Sequence, residues 1–148
     1  LSLNGADGKY GFLDIIKNYK GTDAANISLY SAGMANYHLN DFKNSIEYLN
    51  DFDSEDEILN ALALGVIGDS FAELDQLEDA LDSYDDAINS STNDFTSPKF
   101  LLKAGNIASS LGKKSTALDY YKRIKEDYSK SSESFLIDIQ IEKNSLKN

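Results

Sequence analysis

The side chains that could do chemistry are few. His38 is the single histidine in 148 residues, and there is no cysteine. Zinc sites draw on several thiolates and imidazoles, so one imidazole among carboxylates is a poor donor set. A Ser-His-Asp arrangement would have to use His38, and no G-x-S-x-G turn presents a serine. The carboxylates from Asp51 to Glu57 are spaced like the start of a calcium loop. The sixth place, however, is Asp56 instead of glycine, and the twelfth is Leu62 instead of a bidentate glutamate. Glu78, Asp79, Asp82, Asp85 and Asp86 crowd one helix and read as a solvated face. Gly65 and Gly68 lie inside a helical stretch and make no phosphate-cradling loop. No catalytic residue, no metal and no cofactor is therefore expected, and the expectation for function is non-enzymatic. His38 is expected to be a partly exposed residue at a helix end.

Charge is distributed unevenly. The net charge is −11. Residues 44–98 hold fifteen acidic groups and no Lys or Arg, whereas residues 99–148 hold ten basic and six acidic groups. Such an acidic middle repels phosphate backbones and argues against a nucleic-acid partner. It reads either as a solvated outer helix face or as a docking surface for a basic partner. No run of apolar residues is long enough to span a bilayer. The chain begins at Leu1 and not at methionine, which leads us to expect a fragment or processed product with any signal or anchor upstream.

The elements that must position these groups announce themselves by repetition. Gly33, Gly68 and Gly105 recur at 35 and 37 residues. Around them recur Leu29, Leu64 and Leu101; Leu39, Leu74 and Leu111; and Leu49, Tyr84 and Tyr121, a set expected to form a continuous core. A mid-helix glycine costs about 1 kcal/mol relative to alanine, so three in phase imply close packing by the second helix of each pair. Ser45, Ala80 and Ala117 are expected to face them. Asn40, Asp75 and Gly112 stand where a turn needs a left-handed backbone. Ser54 to Glu57 has the spacing of a capping box, and Thr96-Ser97-Pro98 places a hydroxyl ahead of proline at a helix start. The spacing predicts eight helices, at about 10–19, 22–39, 41–52, 55–74, 76–89, 97–111, 113–128 and 132–145, and no strand. The fold class is thus all-α, with residues 1–148 forming one domain. That domain comprises a half-repeat helix (10–19), three pairs (22–52, 55–89, 97–128) and a capping helix (132–145) with a polar outer face.

Residues 22–128 resemble the tetratricopeptide repeat family, on the small and large positions that recur three times. The resemblance implies a right-handed α-solenoid of helix-turn-helix pairs. The chain departs from the family pattern where Phe52 and Ile124 replace a small residue, where Asn36 and Ala108 replace an aromatic, and in lacking the repeat-ending proline. Residues 11–27 and 93–100 are further similar to bacterial, membrane-anchored proteins of this family, some related to the ancillary periplasmic subunit of the protein translocon. That similarity implies an N-terminal anchor, a place in the cell envelope on the periplasmic side of the inner membrane, and a role in protein assembly or traffic.

In such a stack the first helix of each pair lines the concave face. The groove positions are then Ile27, Tyr30, Met34, Tyr37 and His38 in repeat one. In repeat two they are Leu62, Gly65, Val66, Asp69, Ala72 and Glu73, and in repeat three Lys99, Leu102, Lys103, Asn106, Ser109 and Ser110. The groove would run from aromatic, through small and acidic, to basic and polar. This suits a protein or peptide partner with an apolar anchor near Tyr30 and Tyr37. The same tyrosines would equally serve as core against the N-terminal helix, and the groove would equally hold the chain's own terminal helix or a second copy in a homo-oligomer. Some family members clamp a peptide's terminal carboxylate with Lys and Asn. Lys99 and Lys103 match the third-repeat part of that clamp, while Tyr30, Met34 and Val66 depart from the rest. The leading expectation is a protein-binding scaffold. The alternative is a self-assembly module.

Overall fold

Residues 3–5 and 11–145 of the chain are described in a computed structural model. Among them there is no strand, and nine helices follow one another. They are α1 (Phe12–Asn18), α2 (Asp23–His38), α3 (Phe42–Asn50), α4 (Glu57–Glu73), α5 (Leu77–Ser90), α6 (Ser97–Ser110), α7 (Lys114–Asp127), α8 (Ser132–Leu136) and α9 (Asp138–Ser145). Each packs chiefly on its neighbour in sequence, giving the consecutive pairs α2/α3, α4/α5 and α6/α7, with α1 against α2 and α9 against α7. Tyr10, at the start of the first expected helix, lies outside the described residues.

The turn inside each pair follows from its residue type. Asn40 and Asp75 have φ of 60° and 59°, and Gly112 has φ of 74°. Each reverses the chain with the same two backbone bonds. In the first turn the amides of Asn40 and Asp41 donate to the carbonyls of Tyr37 and Asn36, and the Asp75 and Gly112 turns repeat the pattern. These are helix C-terminal motifs that satisfy otherwise orphaned carbonyls and need a left-handed residue at the crossing point.

The glycines open slots for side chains. A Cβ on Gly33, Gly68 or Gly105 would lie 2.4, 2.7 or 2.4 Å from Leu49, Tyr84 or Tyr121 respectively. The side chain nearest each glycine is the large one of the second helix, a turn beyond Ser45, Ala80 and Ala117. Burying a ring of that size gains more than the roughly 1 kcal/mol that helical glycine costs. Ser45, Ala80 and Ala117 are fully buried, and the Ser45 hydroxyl lies 3.5 Å from that of Ser70 on the next pair.

Four expectations change. Leu39 is exposed, because repeat one has only the short α1 ahead of it, and α1 packs along α2 without covering its C-terminal end. The N-cap of α4 is Asp56, whose carboxylate accepts from the amides of Ile58 and Leu59, while Ser54 accepts from the Asp56 amide. Thr96 makes no side-chain cap at α6. There the Asn93 side chain accepts from the amides of Phe95 and Thr96 and sets the entry angle. Finally, the expected helix 132–145 breaks at the buried Ile137 into α8 and α9, and its outward side carries Phe135, Leu136 and Ile139 alongside the polar Ser132, Asp138, Glu142 and Lys143.

Candidate functional site

The first helices α2, α4 and α6 share one face, and its centre is an ion pair between neighbouring pairs. Asp69 on α4 accepts from Lys103 Nζ on α6 at 2.5 and 2.6 Å. From behind, the Tyr84 hydroxyl on α5 donates to the same carboxylate at 2.6 Å, and Lys103 Nζ sits 5.8 Å from the centre of the Tyr84 ring. Burial, followed by the bond to Asp69, pushes the Tyr84 hydroxyl far above its ordinary value of 10.0. One pair further on, the Tyr121 hydroxyl donates to Asn106 Oδ1 at 2.9 Å. Asp69 and Asn106 each follow their glycine directly, and Tyr84 and Tyr121 each fill that glycine's slot. The packing position and the polar position are thus coupled in repeats two and three.

The groove residues read from the sequence divide into props and presented groups. Tyr30 is half-buried, its ring 5.2 Å from Phe52 and against the core of repeats one and two. Val66 is partly buried in that same core. Gly65 is buried, with Phe100 seated where its Cβ would be, so it presents nothing. Met34 is half-buried. Tyr37 meets His38 and Phe42 edge-on. Burial and then the charges of Asp69 and Glu73 raise its hydroxyl above the ordinary value, which puts Tyr37 in the same electrostatic neighbourhood as the ion pair. His38, Glu73, Lys99 and Asn106 are exposed. The Lys99 ammonium lies 5.6 Å above the Phe95 ring. The structure therefore joins Tyr37, Asp69, Glu73 and Lys103 into one cluster, leaves Tyr30 as a support, and separates Lys99 from them.

Two consequences follow for the clamp geometry. Lys103, half of the matching lysines, is already neutralised by Asp69. Ser109, at the far end of α6, donates to Asn144 of α9 at 3.0 Å, so the last helix borders the face. Asn106, Ser109 and Ser110 line a 390 Å³ recess with Ile139, Gln140, Lys143 and Asn144. A separate 860 Å³ pocket lies between α1, α2 and residues 51–53, lined by Lys17, Lys20, Asp23, Asp51 and Asp53 among others. Sequence reasoning missed Tyr84 and Tyr121 as hydrogen-bond donors, although the matching spacing of Asp69 to Tyr84 and Asn106 to Tyr121 was a usable signal. Among the described residues no group of three or more His, Asp or Glu side chains is placed to hold a metal, and no helix is long and apolar enough to cross a membrane.

Residues 100–131 match the tetratricopeptide repeat family. The match covers α6, α7 and the turn after them, the pair in which Gly105, Gly112 and Tyr121 play the parts described above. The chain matches no curated protein. With the helical pairs α2/α3 and α4/α5 ahead of it, the match makes this a helical-repeat module of the protein-interaction type.

Proposed function

We propose that the chain is a non-catalytic scaffold that holds a segment of another protein on the face lined by its first helices. The observation that carries this is the Asp69–Lys103–Tyr84 network. It locks neighbouring first helices in register, so the groups around it are presented on a fixed frame, and binding then costs little ordering of the receptor. The contact set is Tyr37, His38, Asp69, Glu73, Lys103 and Asn106 at the centre, Lys99 at one end and Met34 at the other, backed by Tyr30 and Val66. Neither a cofactor nor nucleic acid is part of the reading. Peptide display tests it. Selection on the wild-type chain should enrich peptides that fail on a Tyr37→Ala/Lys103→Ala variant of unchanged helicity. Enrichment of no peptide that separates the two proteins would overturn the proposal.

The bacterial envelope is the proposed setting, with the array on the periplasmic side of the inner membrane behind an N-terminal anchor and engaged in protein assembly or traffic. The similarity of residues 11–27 and 93–100 to anchored proteins of the family supports it. Fractionation of cells producing the full-length protein should place it in the membrane fraction, protease-sensitive only after the outer barrier is opened. A protein in the cytosolic fraction would sink this setting. The charge contrast between residues 44–98 and 99–148 favours a second reading, head-to-tail self-assembly. Sedimentation as a monomer at every salt concentration would remove it.

A further inference from the structure

The 860 Å³ pocket beside α1 uses a different face of α2 from the first-helix groove. Thr22, Ala25, Asn26 and Leu29 line it, and residues at that spacing share one stripe of a helix. Ile27, Tyr30 and Met34 form another stripe, and none of them is in the pocket's walls. In repeat three the counterpart of the pocket stripe is closed. Ser97, Pro98 and Leu101, seventy-two residues beyond Ala25, Asn26 and Leu29, are all fully buried, and the fourteen-residue α5 packs on their helix. In repeat one the helix in that place is α1, which has seven residues and none of them buried. Asn26 and Leu29 are left half-buried. An opening of this volume is within the range that takes small ligands.

Two segments that border the pocket are pinned to α2, and they carry opposite charge. One is the turn after α3. The Asn26 side chain donates to the Asp53 carbonyl and accepts from the Asp53 amide at 3.1 Å, which fixes the stretch that brings Asp51 and Asp53 to the pocket. The other is the end of α1 and the turn after it. The Thr22 hydroxyl donates to the Tyr19 carbonyl at 2.7 Å and accepts from the Ala25 amide at 3.2 Å, which fixes the stretch that brings Lys17 and Lys20. None of these four charged side chains is in an ion pair among the described residues. Asp23, also at the pocket, stands in the first turn of α2, where the helix dipole favours a carboxylate. Ile16, Ala25 and Leu29 add apolar surface. A bare cation or anion gains at one charged segment and loses at the other. A molecule with both charges and an apolar middle gains at both.

We infer that this pocket binds a short peptide with free ends. Its carboxylate lies toward Lys17 and Lys20, its ammonium toward Asp51 and Asp53, and an apolar side chain rests on Ile16 and Leu29. Three extended residues span about 10 Å, roughly the spacing of one packed helix from the next. The probe is alanyl-leucyl-alanine, with its N-acetylated and C-amidated forms as comparators. In an NMR titration the free peptide should shift the amide resonances of Asn26, Leu29 and Asp53 and leave those of Tyr37 and Lys103 in place. Blocking either end should weaken binding about three- to fivefold, as expected for one partly screened ion pair. Two variants then assign the ends, and both alter exposed side chains, so their circular dichroism spectra should match the wild type. Lys17→Ala/Lys20→Ala should weaken the free peptide by the same factor and leave the amidated form unchanged. Asp51→Asn/Asp53→Asn should weaken the free peptide and leave the acetylated form unchanged. Equal binding of free and blocked forms overturns the inference, as does a variant that weakens all three forms alike. The absence of any shift at these residues also overturns it. Shifts confined to Tyr37 and Lys103 would remove the pocket as a site while leaving the first-helix face as the binding surface.

Discussion

Repeat one and repeats two and three solve the same packing problem with different chemistry. In all three a first-helix glycine opens a slot for a large side chain of the second helix. In repeat one the slot holds Leu49, and the residue after the glycine is Met34. In repeats two and three it holds Tyr84 and Tyr121, and the following residues are Asp69 and Asn106, which accept the two hydroxyls. A buried hydroxyl needs a partner and a buried leucine needs none, so the two positions change together. The difference also sets what each repeat shows on the first-helix face: an apolar surface at one end, and an anchored polar network in the middle and beyond.

The largest test of this comparison truncates the slot residues. Tyr121→Ala should destabilise the chain by about 3–5 kcal/mol and Leu49→Ala by about 2–5 kcal/mol, read from urea midpoints. A cost below 1 kcal/mol at either would show that the slot is not a core position. Filling the slot comes next. Gly68→Ala places a methyl 2.7 Å from the Tyr84 ring, which cannot retreat while its hydroxyl is held by Asp69. Overpacking of about 1–3 kcal/mol should then outweigh the helix-propensity gain of about 1 kcal/mol. A stabilised Gly68→Ala variant would break the argument for all three glycines.

Removing only the hydroxyls separates repeats two and three. Tyr84→Phe should cost about 1.5–3 kcal/mol, because its acceptor is charged, and Tyr121→Phe about 0.5–1.5 kcal/mol, because its acceptor is an amide. The reverse order would mean that Lys103 alone satisfies Asp69. Alkaline titration probes the same hydroxyls together. Tyr84 and Tyr120 are held above their ordinary value of 10.0, each by burial first and then by the carboxylate that accepts its hydroxyl, Asp69 or Asp85. The folded state keeps these protons where the unfolded chain releases them. Their contribution should therefore be complete below pH 10 and lost as pH rises through and beyond it. A Tyr84→Phe/Tyr120→Phe variant should show a shallower loss of melting temperature above pH 10, and parallel profiles would refute the assignment. The smallest expected effect is at the exposed pair Lys113–Glu78. There Lys113→Ala should leave the urea midpoint nearly unchanged, since solvent screens such pairs.

Much of the scaffold was readable before any coordinates. The left-handed turns at Asn40, Asp75 and Gly112 follow from which residues tolerate that backbone, and the helical pairs follow from the period of the glycines. The break at Ile137 was hidden, because Ile137 and Ile141 fit one continuous apolar stripe. The first-helix face was legible as a set of positions and opaque as chemistry. Lys103 looked like a free cation for a ligand until Asp69, thirty-four residues away, was found holding it.

Local physics explains the division. Backbone preference and hydrophobic period act within a few residues, so the sequence by itself determined the helices, their turns and the three-fold repeat. Which side chains end up buried, paired or left on the surface depends on partners a whole repeat apart. Only the tertiary structure decided that Tyr84 and Tyr121 fill glycine slots, that Asp69 and Lys103 neutralise each other, and that the last helical segment breaks at Ile137.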